Sequence, residues 1–169
     1  MNQSFAALLL AARRERQLVI ATALTDGAPS GQARQARLAQ QQGAGAAELR
    51  ADLLADPAQV RAALTAVRAA SSLPLLLTYR STTEGGKGAG HGQGYEDYLA
   101  SLLQLRPAVA AVDIEMACPA SKALVAEAKA GGYDVVGSCH DFTATPRAAQ
   151  IAEKLAQITA AGADITKVA

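Results

Sequence analysis

Two side chains in this sequence are suited to covalent and proton-transfer chemistry at a carbonyl, and both sit at the ends of short apolar runs. Lys167 lies between Ile165 and Val168 in "GADITKVA". A lysine amine condenses with a ketone, and the protonated imine that results makes the adjacent C–H far more acidic. The amine must first be neutral, a form favoured by burial on a strand and by nearby cations. Holding a lysine there costs desolvation, and a reaction is one reason to keep it. The other reading is a terminal lysine with its head in water, which the residues alone favour. His140 follows "VVGSC". Imidazole titrates near neutrality, so it can take a proton and return it. Taken alone, His140 reads more simply as a hydrogen-bonded structural histidine.

The same habit recurs along the chain. Glu48, Arg50 and Asp52 close one apolar run, Arg80 and Glu84 another, Asp113 and Glu115 a third, and His140 and Asp141 a fourth. Any single case is explained by a solvated strand end. Repetition on five strands, Lys167 included, points to a shared rim, where α/β barrels and doubly wound sheets carry their chemistry. Glu48 and Arg50 alternate with apolar neighbours and so face the same way. They could bind a ligand or simply pair with each other. Arg80 can grip a carboxylate or polar diol edge with two hydrogen bonds. The glycine-rich "EGGKGAGHGQG" lacks the Gly-Lys-Ser/Thr ending of a nucleotide loop, and it follows the third strand instead of the first. It reads as a mobile cover for a pocket, with His91 a flexible-loop residue. Tyr95 and Tyr98 belong to the helix after it.

The elements that must position these groups alternate. Six strand candidates are "LVIATAL" (18–24), "AAELRADLL" (46–54), "LPLLLTY" (73–79), "AVAAVDIEM" (108–116), "YDVVGSCH" (133–140) and "DITKVA" (164–169). Alanine-rich segments of helical period separate them. Asp56-Pro57 opens one helix, and Thr145-Pro146 opens another that Gly162 closes. Such alternation specifies a parallel sheet with right-handed crossovers.

The 169 residues suffice for one domain with a core. Half are apolar but only 4% aromatic, which favours helix-rich packing of small side chains over a β-sandwich. A net charge of +1 supplies no field for nucleic acid or a membrane surface. Cys118 and Cys139 have neither metal nor redox spacing, in keeping with a reducing cytoplasm. In "MNQSFAALLLAARRER" the arginines follow the apolar run, the wrong order for a secretory signal, so an amphipathic helix packed on the domain is expected.

Five pieces together resemble the type I 3-dehydroquinate dehydratases, in that family's order: "ELRADLL", "PLLLTYRSTTEGGKG", "VDIEM", "SCHDFTATP" and "GADITKVA". The resemblance runs from about Leu18 to the last residue. It implies an α/β fold of (β/α)₈ TIM-barrel type and dehydration of 3-dehydroquinate to 3-dehydroshikimate through a lysine imine, a step of the shikimate or quinate pathway. It also implies roles: Lys167 as the Schiff-base residue, His140 as general acid/base, and Glu84 as the carboxylate partnering it. Glu48, Arg50 and Arg80 would hold the substrate's hydroxyls and carboxylate side. The substrate is a small molecule, and no cofactor or metal is implied.

The sequence departs from that family in extent. A (β/α)₈ barrel takes about 250 residues, and only about six βα units are visible here. The expectation is a single, incomplete barrel domain over residues 1–169, truncated just after the lysine strand. The family's next two units, with an arginine, a serine and a glutamine for the substrate carboxylate, have no counterpart. Ala21 stands where relatives often place a small polar residue, and the N-terminus reads as a helix in place of a β-hairpin plug. Six parallel strands leave two open edges, so the chain is expected to be marginally stable, to form a homodimer or otherwise self-associate, or to be the leading part of a longer protein, and a monomer is expected to be impaired in substrate binding. Two other readings remain: a catalytically dead, barrel-derived binding or regulatory module, and another lysine-imine barrel enzyme such as a class I aldolase, against which "SCHDF" and "EGG" speak.

Overall fold

The computed structural model describes residues 4–105 and 109–169. Its strands are β1 (Ala21–Leu24), β2 (Ala46–Arg50), β3 (Leu75–Thr78), β4 (Ala111–Glu115), β5 (Asp134–Cys139) and β6 (Ile165–Val168). All are parallel, and each pairs with the next in sequence, in the order β1-β2-β3-β4-β5-β6. Helices α1 (Phe5–Arg14), α2 (Pro29–Gln41), α3 (Pro57–Ala70), α4 (Gln93–Leu102), α5 (Ser121–Ala130) and α6 (Ala148–Ala160) alternate with them. The result is a half-barrel, an incomplete TIM-barrel-like α/β fold.

Side-chain alternation divides the sheet into two faces. Leu49, Leu75, Leu77, Val112, Ile114 and Val135 point outward and are buried beneath the helices, joined there by Val60, Leu64, Val67 and Leu99. The inner face carries small residues at its base and polar ones at its rim. Ala46, Leu76, Ala111 and Val136 line the base, where Phe5 of α1 completes a second, smaller core. Asp134 fixes that helix by accepting hydrogen bonds from the Ser4 hydroxyl at 2.8 Å and the Ala6 N–H at 2.9 Å. The amphipathic N-terminal helix expected from the sequence is therefore present, and it packs on the base of the inner face.

Burial falls off at the sheet's ends. β3 and β4 are wholly buried, whereas β1 is mostly exposed or half-buried and β6 half-buried throughout. Among the described residues nothing pairs with the outer edge of either terminal strand, as six parallel strands require.

Several elements differ from expectation at their ends. The first strand begins at Ala21, leaving Leu18 and Ile20 exposed beside the sheet edge. The end of "AAELRADLL" turns into a short 3-10 segment, Ala51–Leu53, because Arg50 folds back to pair with Asp52. Ala108, the first residue of "AVAAVDIEM", lies outside the described residues. Helix α3 starts where foreseen, with the Asp56 carboxylate accepting the Gln59 N–H at 2.8 Å. α6 does not: Arg147 is still extended, and the Gln150 side chain accepts its N–H at 2.9 Å, so Thr145-Pro146 belongs to the preceding loop. Asp141 organises that loop by accepting the Thr143 N–H and hydroxyl. Gly162 ends α6 at φ +97°, as the sequence indicated.

Candidate active site

The strand register decides which chemistry-bearing groups meet. Arg50 pairs with Thr78, Glu115 with Ser138, and Ser138 with Lys167. Beyond the last assigned pair, Ala169 N–H reaches the Cys139 carbonyl and Asp141 N–H reaches the Ala169 carbonyl, which sets His140 beside Ala169. Glu48, Arg50, Arg80, Asp113, Glu115, Ser138, His140 and Lys167 thus alternate onto the inner face. His140 and Lys167 stand on adjacent strands, two residues apart on one side of the sheet.

Arg80 is the hub. Its side chain is 6% exposed and sits 3.0 Å from Asp113, 3.0 Å from Glu115 and 3.4 Å from Glu84. It also donates to the Ser138 hydroxyl at 3.0 Å, and that hydroxyl donates to Asp113 at 2.6 Å. Burial works to lower the guanidinium's pKa, but Asp113, Glu115 and Glu84 outweigh it, so the group is held more firmly charged than usual. Asp113 is shifted the other way: complete burial pushes its carboxyl above the ordinary range, against the pull of Arg80, Ser138 and Lys167. Lys167 therefore shares its side of the sheet with an acid, Asp113, as well as with the apolar flank of Ile165 and Val168.

His140 is placed by Glu84. Glu84 Oε2 lies 2.7 Å from His140 Nδ1 and accepts the His140 backbone N–H at 3.2 Å. A carboxylate at Nδ1 fixes the tautomer with its proton there, leaving Nε2 free for a substrate. The Glu84 carboxylate is 3% exposed, and its other oxygen, Oε1, has no hydrogen-bond partner among the described residues. The reach of Glu84 to His140 is as the sequence suggested.

Glu48 and Arg50 share the face but not each other. Glu48 accepts the Thr78 hydroxyl at 2.7 Å, while Arg50 makes a two-point contact with Asp52 at 2.8 Å each. Asp52 in turn accepts the Lys87 N–H at 3.1 Å. Burial works against the Asp52 charge, but Arg50 and the Lys87 N–H hold its carboxyl below the usual range.

The glycine-rich stretch departs most from expectation. Its first half is tied down: Gly86 N–H donates to the Ser81 carbonyl at 2.7 Å, and Gly88 N–H to the Arg80 carbonyl at 2.9 Å. A Cβ on Gly86 would lie 2.1 Å from that Arg80 oxygen, so only glycine fits. His91 is no free loop residue. Its Nε2 is 2.6 Å from Glu115 Oε2, its side chain is 12% exposed, and its ring packs edge-on against Tyr95. Ser81 also holds Glu115, through both its N–H and its hydroxyl. Tyr95 is fully buried in α4, and burial, reinforced by the nearby Glu115 charge, raises its phenol well above the ordinary value.

Sequence reasoning left Asp113, Glu115, Ser138 and His91 out of the site. The first two announce themselves by alternation in "VDIEM", the third by standing two residues before His140. Nothing in the glycine-rich stretch marks His91.

Comparison with known proteins bears on the family and the fold. The sequence pattern of the family described as Type I 3-dehydroquinase matches residues 20–169. The 3-dehydroquinate dehydratase of Methanosarcina barkeri is 37% identical over 137 residues, covering 79% of this chain and 57% of that protein. That of Klebsiella pneumoniae is 37% identical over 120 residues, 66% of this chain and 45% of that protein. The solved 3-dehydroquinate dehydratase of Enterococcus faecalis superposes with a TM-score of 0.80 at 28% identity, over 89% of this chain and 65% of that one. The chain therefore spans about half the length of the curated relatives it matches.

Proposed function

Because this chain belongs to the type I 3-dehydroquinase family, we propose that its inner face carries the site that dehydrates 3-dehydroquinate to 3-dehydroshikimate. Lys167 Nζ adds to the substrate ketone, water leaves, and a protonated imine forms. His140 Nε2 removes the proton next to the imine carbon, the electron pair moving into the imine to give an enamine. Return of that pair expels the hydroxyl on the next carbon, which His140 protonates so that it departs as water. Hydrolysis of the remaining imine frees the product and Lys167. Glu84 holds the imidazole by Nδ1 and balances the charge it gains in each cycle. Glu48, Arg50 and Arg80 position the substrate's hydroxyls and carboxylate side, although the guanidinium of Arg80 is largely committed to carboxyl groups and that of Arg50 to Asp52.

The observation that carries this reading is the common face of His140 and Lys167, with Glu84 behind the histidine. The test is turnover: 3-dehydroquinate is added and the conjugated enone of the product followed in the ultraviolet. Activity that disappears in Lys167→Ala supports the assignment; activity that survives there removes it.

A second reading rests on the exposed edges of β1 and β6. In it the half-barrel binds without turning over, alone or self-associated as a homodimer. A folded chain that binds 3-dehydroquinate and produces no enone would favour it. The first reading puts the protein on the shikimate or quinate route, in the cytoplasm. No described helix is long and apolar enough to cross a membrane.

A further inference from the structure

Glu84, His91 and Glu115 converge from three segments, and one donor atom from each lies within 4.8 Å of the other two. From this cluster we infer a binding site for a borderline divalent transition-metal ion, Zn²⁺ being the simplest probe, ligated by Glu84, His91 and Glu115.

Three observations carry it. The donor set is one imidazole nitrogen and two carboxylates, a combination that suits zinc and its neighbours better than the oxygen-only preference of calcium or magnesium. Glu84 Oε1 is buried and has no hydrogen-bond partner among the described residues, and the side chain is only 3% exposed. A buried oxygen left unpaired is costly, and a cation removes that cost. The charge count points the same way: the carboxyls of Asp113, Glu84 and Glu115 surround the single guanidinium of Arg80.

The geometry needs only small adjustments. Zinc binds nitrogen and carboxylate oxygen at about 2.0–2.2 Å, which puts donors in a tetrahedral site somewhat over 3 Å apart. His91 Nε2 and Glu115 Oε2, now at 2.6 Å, must separate slightly and give up the proton between them. His91 precedes Gly92, whose φ is +133° and whose Cβ position has no atom within 4 Å, so the backbone has room to move. Arg80 and Ser81 hold Glu115 from behind, as outer partners do at metal centres.

The consequence for catalysis rests on the function proposed above. Glu84 holds His140 through Oε2, so an ion bound at Oε1 draws charge from the carboxylate that supports the proton shuttle, and the metal-free protein is the more active form. Zinc then acts as a reversible inhibitor whose effect a chelator reverses.

The experiment reads binding without substrate, so its outcome is independent of whether the chain is a dehydratase. The full chain, stripped of metal, is titrated with Zn²⁺ by calorimetry and with Co²⁺ by visible absorption. One ion per chain is expected, with Co²⁺ bands characteristic of a nitrogen–oxygen site. Because loss of an outer partner alone costs about 10–100-fold in affinity, loss of a ligand in His91→Ala should cost about 100-fold or more. Lys167→Ala, outside the ligand set, should bind within about threefold of wild type. His91→Gln, of similar bulk, guards against misfolding and should lose binding with His91→Ala. Equal affinity in wild type and both His91 variants, or no binding to the folded wild type at millimolar Zn²⁺, would overturn the site.

Discussion

Replacing Arg80 with methionine tests whether the inner rim is held by one cation among three buried acids. The side chains of Arg80, Asp113, Glu84 and Glu115 are 6%, 1%, 3% and 0% exposed, so water screens little of what the guanidinium does. Methionine roughly preserves the stem and removes the charge. Removing one partner of a buried ion pair typically costs about 3–5 kcal/mol, because the charge left behind has lost its compensation. For a chain of this size each kcal/mol lowers the melting temperature by about 2–4 °C, giving a fall of roughly 6–20 °C. The deficit should also depend on pH. Asp113 is already raised in the fold, and an acid with a raised folded-state pKa adds stability below its unfolded pKa and loses it as pH rises through the folded one. Loss of Arg80, which pulls that pKa down, raises it further. The variant's deficit should therefore be largest at neutral pH and shrink towards about pH 3, where the Asp113 carboxyl is mostly protonated in the folded and the unfolded chain alike. Urea unfolding followed by circular dichroism at the two pH values measures this directly. A deficit below about 1 kcal/mol at neutral pH, or an equal deficit at both, would refute the reasoning.

Two further outcomes are expected. His140→Ala should still form the lysine adduct but lose about 10²–10⁴-fold in dehydration rate, read from the enone absorbance, because it removes the proton carrier and leaves the amine; normal turnover would exclude His140 from that role. Asp56→Ala removes the cap of α3 and should cost about 1 kcal/mol in urea unfolding with no change in adduct formation; a loss near zero would mean that tertiary packing alone sets the start of that helix.

Much of the rim was legible because strands have a period of two. Once "ELR" and "VDIE" are strands, Glu48 and Arg50 must share a face, and so must Asp113 and Glu115. Parallel order followed from the alternation of elements, and the next-neighbour position of the His140 and Lys167 strands followed from parallel order. What could not be read depended on longer-range partners. Arg50 takes Asp52 instead of Glu48 because the chain turns sharply after β2. α6 starts late because Asp141 and Gln150 provide local hydrogen bonds that Thr145-Pro146 does not. His91 lay in a stretch with no period at all, and only the packing of the glycine-rich segment against Arg80 carries it to Glu115. The influence of Lys167 on Asp113 was not foreseeable, because the two stand two strands apart and cross-strand register is not written in any one segment.

The proposed chemistry stands or falls on whether the amine of Lys167 captures the substrate ketone. Incubation with 3-dehydroquinate and borohydride, followed by peptide mass spectrometry, should reveal one reduced adduct, on Lys167, absent from Lys167→Ala. An adduct on some other lysine, or none on a chain shown to be folded and to bind 3-dehydroquinate, would contradict it.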